Sequence, residues 1–319
     1  MASTILVPLD GSSLAERAMP FAETLALASG AQVLLLYAQT ADGYAAEEVG
    51  IPPATWVGRY LAAQSGPLQQ KGLAVSCLIV TVDIVEAIVA QAECCTLAAV
   101  VMATHGRGLL GRGAGGSVIE RLLVRLTAPV LLIRAWHTAM TCRRLTAGLR
   151  IIVPLDGSVL AEAALPFAQA MAKVFRGELV LVQITSPLPP WSDIPAANTG
   201  PASAAEQAQR QAATYLHMIA KRLEDAQVRV QVMVGAGDVA TSVALLAQRH
   251  DAALVIMATH GRTGNLRTAL GAVARSLLWH CDLPILLLQP AAPARTREGD
   301  ECLALFAPRT DRIEPGAPA

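Results

Sequence analysis

Two short segments carry the side chains most able to do chemistry, and each occurs twice. Asp10 lies in Val-Pro-Leu-Asp-Gly-Ser at residues 7–12, and Asp156 lies in the same six residues at 153–158. Met-Ala-Thr-His-Gly-Arg stands at 102–107 and again at 257–262, followed in the first copy by Gly108, Gly111, Gly113, Gly115, Gly116 and Ser117. Glycines leading into a helix let backbone N–H groups approach a ligand closely, and the first turn of that helix favours an anion such as phosphate. A carboxylate across the cleft can accept hydrogen bonds from ribose hydroxyls, so the pair of segments points to a nucleotide. The alternative is that each aspartate caps the following helix and the glycines only turn the chain. Recurrence of both features in both copies weighs against it.

The elements that must position these residues repeat as well. Leu14, Ala15, Glu16, Pro20, Phe21 and Ala22 recur 146 residues later, whereas the second segment recurs after 155, so the second copy carries about nine additional residues. A stretch at 186–206 with five prolines and no apolar period is expected to hold them as an irregular loop. Each copy alternates apolar, β-branched runs with amphipathic stretches. Strands are expected at 4–8, 32–38, 74–81, 97–102 and 130–133, and at 151–154, 178–184, 228–234, 253–257 and 285–288. Helices are expected near 53–70 and 204–226, with the last helix of each copy opening at Ser117 or Ala272. The order predicts an α/β fold of two tandem, open, parallel, doubly wound sheets, near 1–140 and 148–292. In such sheets ligands lie beyond the carboxyl ends of the strands, which is where Asp10, Asp156 and the glycine-bearing loops fall.

Composition narrows the class. The 319 residues exceed the usual single-domain size, and 25 basic against 25 acidic side chains exclude nucleic-acid binding driven by bulk charge. Hydrophobic residues make up 53% of the chain, yet no uncharged apolar run approaches the roughly 18 residues of a spanning helix, so no membrane partner is expected. The opening residues lack the basic lead and apolar core of a secretory signal, which predicts a cytoplasmic protein. Six cysteines without a Cys-x-x-Cys pair predict reduced thiols, and neighbouring Cys94 and Cys95 diverge on a helix.

Named nucleotide motifs fit unevenly. Gly106, Gly108 and Gly111 satisfy Gly-x-Gly-x-x-Gly, but Thr263 replaces Gly108 in the second copy and no acidic residue ends the next strand of the first. No Gly-Lys-Ser/Thr occurs, so the lysine of P-loop hydrolysis is missing. The pattern instead resembles the universal stress proteins, specifically their tandem two-domain members, over nearly all of residues 1–290. Their ATP-binding subgroup carries Gly-x-x-Gly, nine residues, then Gly-Ser/Thr. The first copy matches with Ala103, Gly106, Gly116 and Ser117, departing only at the first glycine. The second has Ala258, Gly261, Gly271 and Ala272, departing there and at the hydroxyl.

The resemblance implies Rossmann-like domains of the adenine nucleotide α-hydrolase type, paired within one chain as a pseudo-dimer, and ATP with Mg as ligand. It places Pro8 and Asp10 at the adenosine, Ala38 at the adenine edge, Met102 and Ala103 in the adenosine pocket, and Gly106, Gly116, Ser117 and Val118 around the phosphates. The matching positions are Pro154, Asp156, Ile184, Met257, Ala258, Gly261, Gly271 and Val273. Because Ala272 has no hydroxyl, the first site is expected to be the stronger. A regulatory binding role in the stress response is the first reading; a nucleotide-independent scaffold and a weak ATPase or phosphotransferase are the alternatives. His105 and His260 are expected to be structural or solvent-facing, and Arg107 and Arg262 to be solvated or near phosphate. The apolar last strands would be exposed sheet edges unless paired, which predicts pairing of the two copies and allows a homodimer of chains. The tail 293–319 lies outside the repeat and is expected to be mobile, with 303–306 (Leu-Ala-Leu-Phe) a possible docking segment.

Overall fold

A computed structural model describes residues 3–39, 53–104, 118–134, 145–185, 201–261 and 270–290. The first copy runs β1 (Thr4–Leu9), a 3-10 turn (Ala15–Ala18), α1 (Met19–Ser29), β2 (Gln32–Ala38), α2 (Pro53–Gln70), β3 (Val75–Val80), α3 (Ile84–Cys94), β4 (Leu97–Ala103), α4 (Val118–Arg125) and β5 (Val130–Ile133). The second runs β6 (Arg150–Pro154), α5 (Val159–Glu162), α6 (Leu165–Val174), β7 (Glu178–Thr185), α7 (Pro201–Asp225), β8 (Arg229–Ala236), α8 (Val239–Arg249), β9 (Leu254–Ala258), α9 (Ala272–His280) and β10 (Ile285–Leu288).

One difference from the sequence expectation concerns the additional residues. Helix α7 has 25 residues against 18 in α2, so seven of them extend a helix rather than a loop, and α7 starts inside the stretch read as irregular. Pro201 fits the first helical position, where its missing N–H costs nothing, and the following Ala, Glu and Gln residues favour helix.

The strands form one sheet in the order β3-β2-β1-β4-β5-β10-β9-β6-β7-β8. All neighbours are parallel except β5 and β10, which run antiparallel with Leu131 opposite Leu286. Both faces are covered, which is why β4, β5, β9 and β10 are buried along their whole lengths. In each half the chain reverses direction across the sheet between its first and fourth strands, the place where such sheets open a crevice.

Proline helps to open it. β6 pairs with β9 only at Ile151 and Ile152, and β1 pairs with β4 only at Thr4 to Leu6. Pro154 and Pro8, two residues further on, have no N–H to continue the ladder, so the strands part before their carboxyl ends.

Candidate nucleotide-binding site

Each carboxylate is fixed by its own turn. Asp156 Oδ1 accepts from the Ser158 backbone N–H at 2.9 Å and from its hydroxyl at 2.6 Å, and Ser158 Oγ caps the next helix by accepting from Ala161 N–H at 3.2 Å. Asp10 and Ser12 repeat the arrangement at 2.9 and 2.6 Å, with Ala15 N–H at 3.1 Å from Ser12 Oγ. The intervening Gly11 and Gly157 have φ of 79° and 81°, the left-handed region that glycine adopts without strain. Thus the serine caps the helix, and the aspartate orients the serine.

In the second copy the expected residues converge. Pro154, Asp156, Ile184, Met257, Ala258, Gly261, Gly271 and Val273 all line one cavity of about 700 Å³ at the carboxyl ends of β6, β7 and β9. Its size is that of a small-molecule site. Two glycines shape the wall. A Cβ on Gly261 would collide with Oδ2 of Asp156, and one on Gly271 would lie 2.9 Å from the Thr259 carbonyl, which already accepts the Gly271 N–H at 2.9 Å. Gly271 also stands at the N-cap of α9, so the first-turn N–H groups of Ala272, Val273 and Ala274 end at the cavity. The lining is largely apolar, with Val182, Ile184, Met257 and Leu270, and includes the Asp156 carboxylate and the first turn of α9, a mixture suited to a small ligand with an apolar part and an anionic part.

His260 is 5% exposed and forms part of this wall, with Nδ1 3.1 Å from Thr259 Oγ1, so it is structural rather than solvent-facing. Arg275, on the first turns of α9, reaches Glu120 of α4 at 3.6 Å and ties the cavity rim to the first copy. No cluster of three potential metal ligands occurs among the described residues.

In the first copy, Pro8 lies near the end of β1 and Asp10 just follows it, Ala38 ends β2, Met102 and Ala103 end β4, and Val118 opens α4, at the positions matching those of the second cavity. Gly106, Gly116 and Ser117 lie outside the described residues, as do His105, Arg107, Arg262 and the segment 291–319.

A tyrosine–glutamate pair beside each carboxylate was missed by sequence reasoning. Tyr215 of α7 donates to Glu162 Oε1 at 3.0 Å, and burial first, then that glutamate, raises its pKa well above the usual tyrosine value, so it remains a donor. Tyr60 occupies the same place in α2. Burial raises its pKa most, and the nearby Glu16 carboxylate adds to this. Recurrence of Tyr60 and Glu16 at the two repeat offsets was the available signal. Only the first copy adds Trp56, stacked on Tyr60 at 5.3 Å and packed over Gly11, where Gln211 stands in the second.

The universal stress protein family profile matches residues 1–134 and 149–289. A universal stress protein of Methanocaldococcus jannaschii is 26% identical over 140 residues, covering 44% of this chain and 81% of that protein. Among solved structures, a universal stress protein from Archaeoglobus fulgidus superposes with a TM-score of 0.60 at 16% identity, over 90% of this chain and 96% of that one. A functionally unknown protein from Pseudomonas aeruginosa gives 0.61 at 17%, over 96% and 97%. At these identities the structural likeness shows the fold alone.

Proposed function

The chain belongs to the universal stress protein family, and from that premise we propose that it binds an adenine nucleotide, ATP with its Mg ion, at the carboxyl ends of the strands in each half. The observation that carries the reading is that all eight residues expected of the second site line one and the same cavity, of about 700 Å³. Asp156 takes the ribose hydroxyls, the Ile184 backbone meets the adenine edge, Met257 and Ala258 pack against the adenosine, and Gly261, Gly271 and Val273 surround the phosphates. Asp10, Pro8, Ala38, Met102, Ala103, Gly106, Gly116, Ser117 and Val118 do the same in the first half. The phosphates bring the charge; the chain supplies backbone N–H groups and a carboxylate held in advance by Ser158.

The first site is the stronger, because Ser117 offers a hydroxyl where Ala272 has none; one hydrogen bond to a charged group corresponds to roughly a tenfold to hundredfold difference. Occupancy regulates the protein, whose working units are 1–140 and 148–292, in a cytoplasmic stress response, with chains free to form homodimers. No described helix is long and apolar enough to cross a membrane. Photolabelling with 8-azido-ATP tests the assignment. Label on peptides containing Ile184 or Met257 to Gly261, suppressed by ATP, is expected; label scattered over the surface and indifferent to ATP contradicts it.

A further inference from the structure

The two halves differ on the outer side of the cavity. In the first, Arg121 of α4 grips Asp83 at the start of α3 with both guanidinium nitrogens, at 2.7 and 3.2 Å, and Arg125 grips Glu86 in the same forked way. These two pairs latch α4 to the first turn of α3. At the matching positions the second half has Ser276 and His280 on α9, and Asp238 and Thr241 on α8. Both replacements on α9 bond within their own helix, His280 Nδ1 lying 2.8 Å from the Ser276 carbonyl and 3.3 Å from its hydroxyl, while Asp238 caps α8 through Thr241 N–H at 2.8 Å. Among the described residues no salt bridge links α8 to α9, and the charge of His280 makes only a minor contribution to holding the Asp238 carboxyl below its ordinary value, after its bonds to Thr241. The same cavity is also lined by Val239 and Val243 of α8 and by Ser276, Trp279 and His280 of α9, which form a groove between these two helices. Trp279 is 53% exposed at its rim, in the place of Val124.

We infer that this unlatched groove is an accessory subsite that takes an aromatic group carried on the phosphate end of the nucleotide. The inference rests on the nucleotide reading above, since it is the first turn of α9 that fixes which end of the ligand faces the groove. Chemistry selects the occupant. The walls are aliphatic, the rim offers one exposed indole for stacking, and Arg275 and His280 border the path between the phosphate end and that indole. An indole left half in water at a cavity mouth gains by covering its face; the inorganic end of ATP itself offers nothing to cover it with.

The test compares ATP with ATP bearing a phenyl group on its γ-phosphate, titrated into the full chain carrying Gly116→Asp to silence the first site. The phenyl ester is expected to bind at least about tenfold more tightly than ATP, a difference of about 1.4 kcal/mol. That advantage should fall to about onefold in Trp279→Val, and in the triple variant Thr241→Glu, Ser276→Arg, His280→Arg, which rebuilds the latch of the first half. Equal binding of the two ligands by the Gly116→Asp chain overturns the subsite and leaves the nucleotide reading standing. An advantage that survives both variants places the phenyl group elsewhere and also overturns it. Binding of neither ligand overturns both readings together.

Discussion

Replacing Gly261 by alanine puts the carboxylate geometry under direct stress. The new Cβ would overlap Oδ2 of Asp156, and relief requires a retreat of about 1 Å or more to reach ordinary contact. A carboxylate at the end of a free side chain could swing away cheaply. Asp156 is not free: Oδ1 is held by the Ser158 N–H at 2.9 Å and its hydroxyl at 2.6 Å, so rotation sacrifices hydrogen bonds to a charged acceptor, each worth about 1.5 to 3 kcal/mol. Either that cost appears in folding stability or the Gly261 loop moves and the cavity wall with it. In both cases the ribose loses its acceptor, and ATP affinity at the second site should fall roughly tenfold to a hundredfold. Calorimetric titration in a Gly116→Asp background reads the affinity, and urea denaturation of the same protein reads the stability. Wild-type affinity and wild-type stability together would refute the idea that Gly261 exists to make room for a pinned carboxylate.

Ser158→Ala removes both the cap on Ala161 N–H and a restraint on Asp156, and is expected to lower stability by about 1 kcal/mol in thermal unfolding and to weaken ATP binding as well. Leu287 is fully buried on β10 opposite Val130 of β5, so Leu287→Ala should cost about 2 to 5 kcal/mol and, by loosening the seam between the halves, broaden the urea transition. The latch should be pH-dependent. The hydrogen bond from Arg125, with its charge, holds the Glu86 carboxyl below its ordinary value, so the pair stabilises the fold above the ordinary carboxylate range and the contribution is lost as pH falls through the lowered value. Glu86→Gln should therefore shift the urea midpoint down at neutral pH and leave it close to wild type below the carboxylate range.

Much of the fold was legible because periodicity and repetition spoke together. The strand at 130–133 was read to the residue, and β4 and β9 to within one, because a buried parallel strand is apolar without interruption. The eight positions of the second copy follow from the family resemblance, and they line one cavity because a doubly wound sheet brings its strand ends together wherever the chain reverses. The start of α7 was not legible: Pro201 reads as a loop signal and as a first helical residue alike, and only the surroundings decide. The Tyr215–Glu162 pair and the groove beside Trp279 were hidden for a different reason. Each joins residues of different elements, 33 or more positions apart, whose meeting depends on how helices lie across the sheet, which no local pattern records.

The central claim is that this cleft binds an adenine nucleotide, and calorimetric titration of Mg·ATP into the nucleotide-stripped full chain tests it most directly. The account predicts saturable binding near one ATP per chain, followed by weaker occupation of a second site that Ala272→Ser strengthens. No heat at any concentration, together with no displacement of a fluorescent ATP analogue, would contradict it.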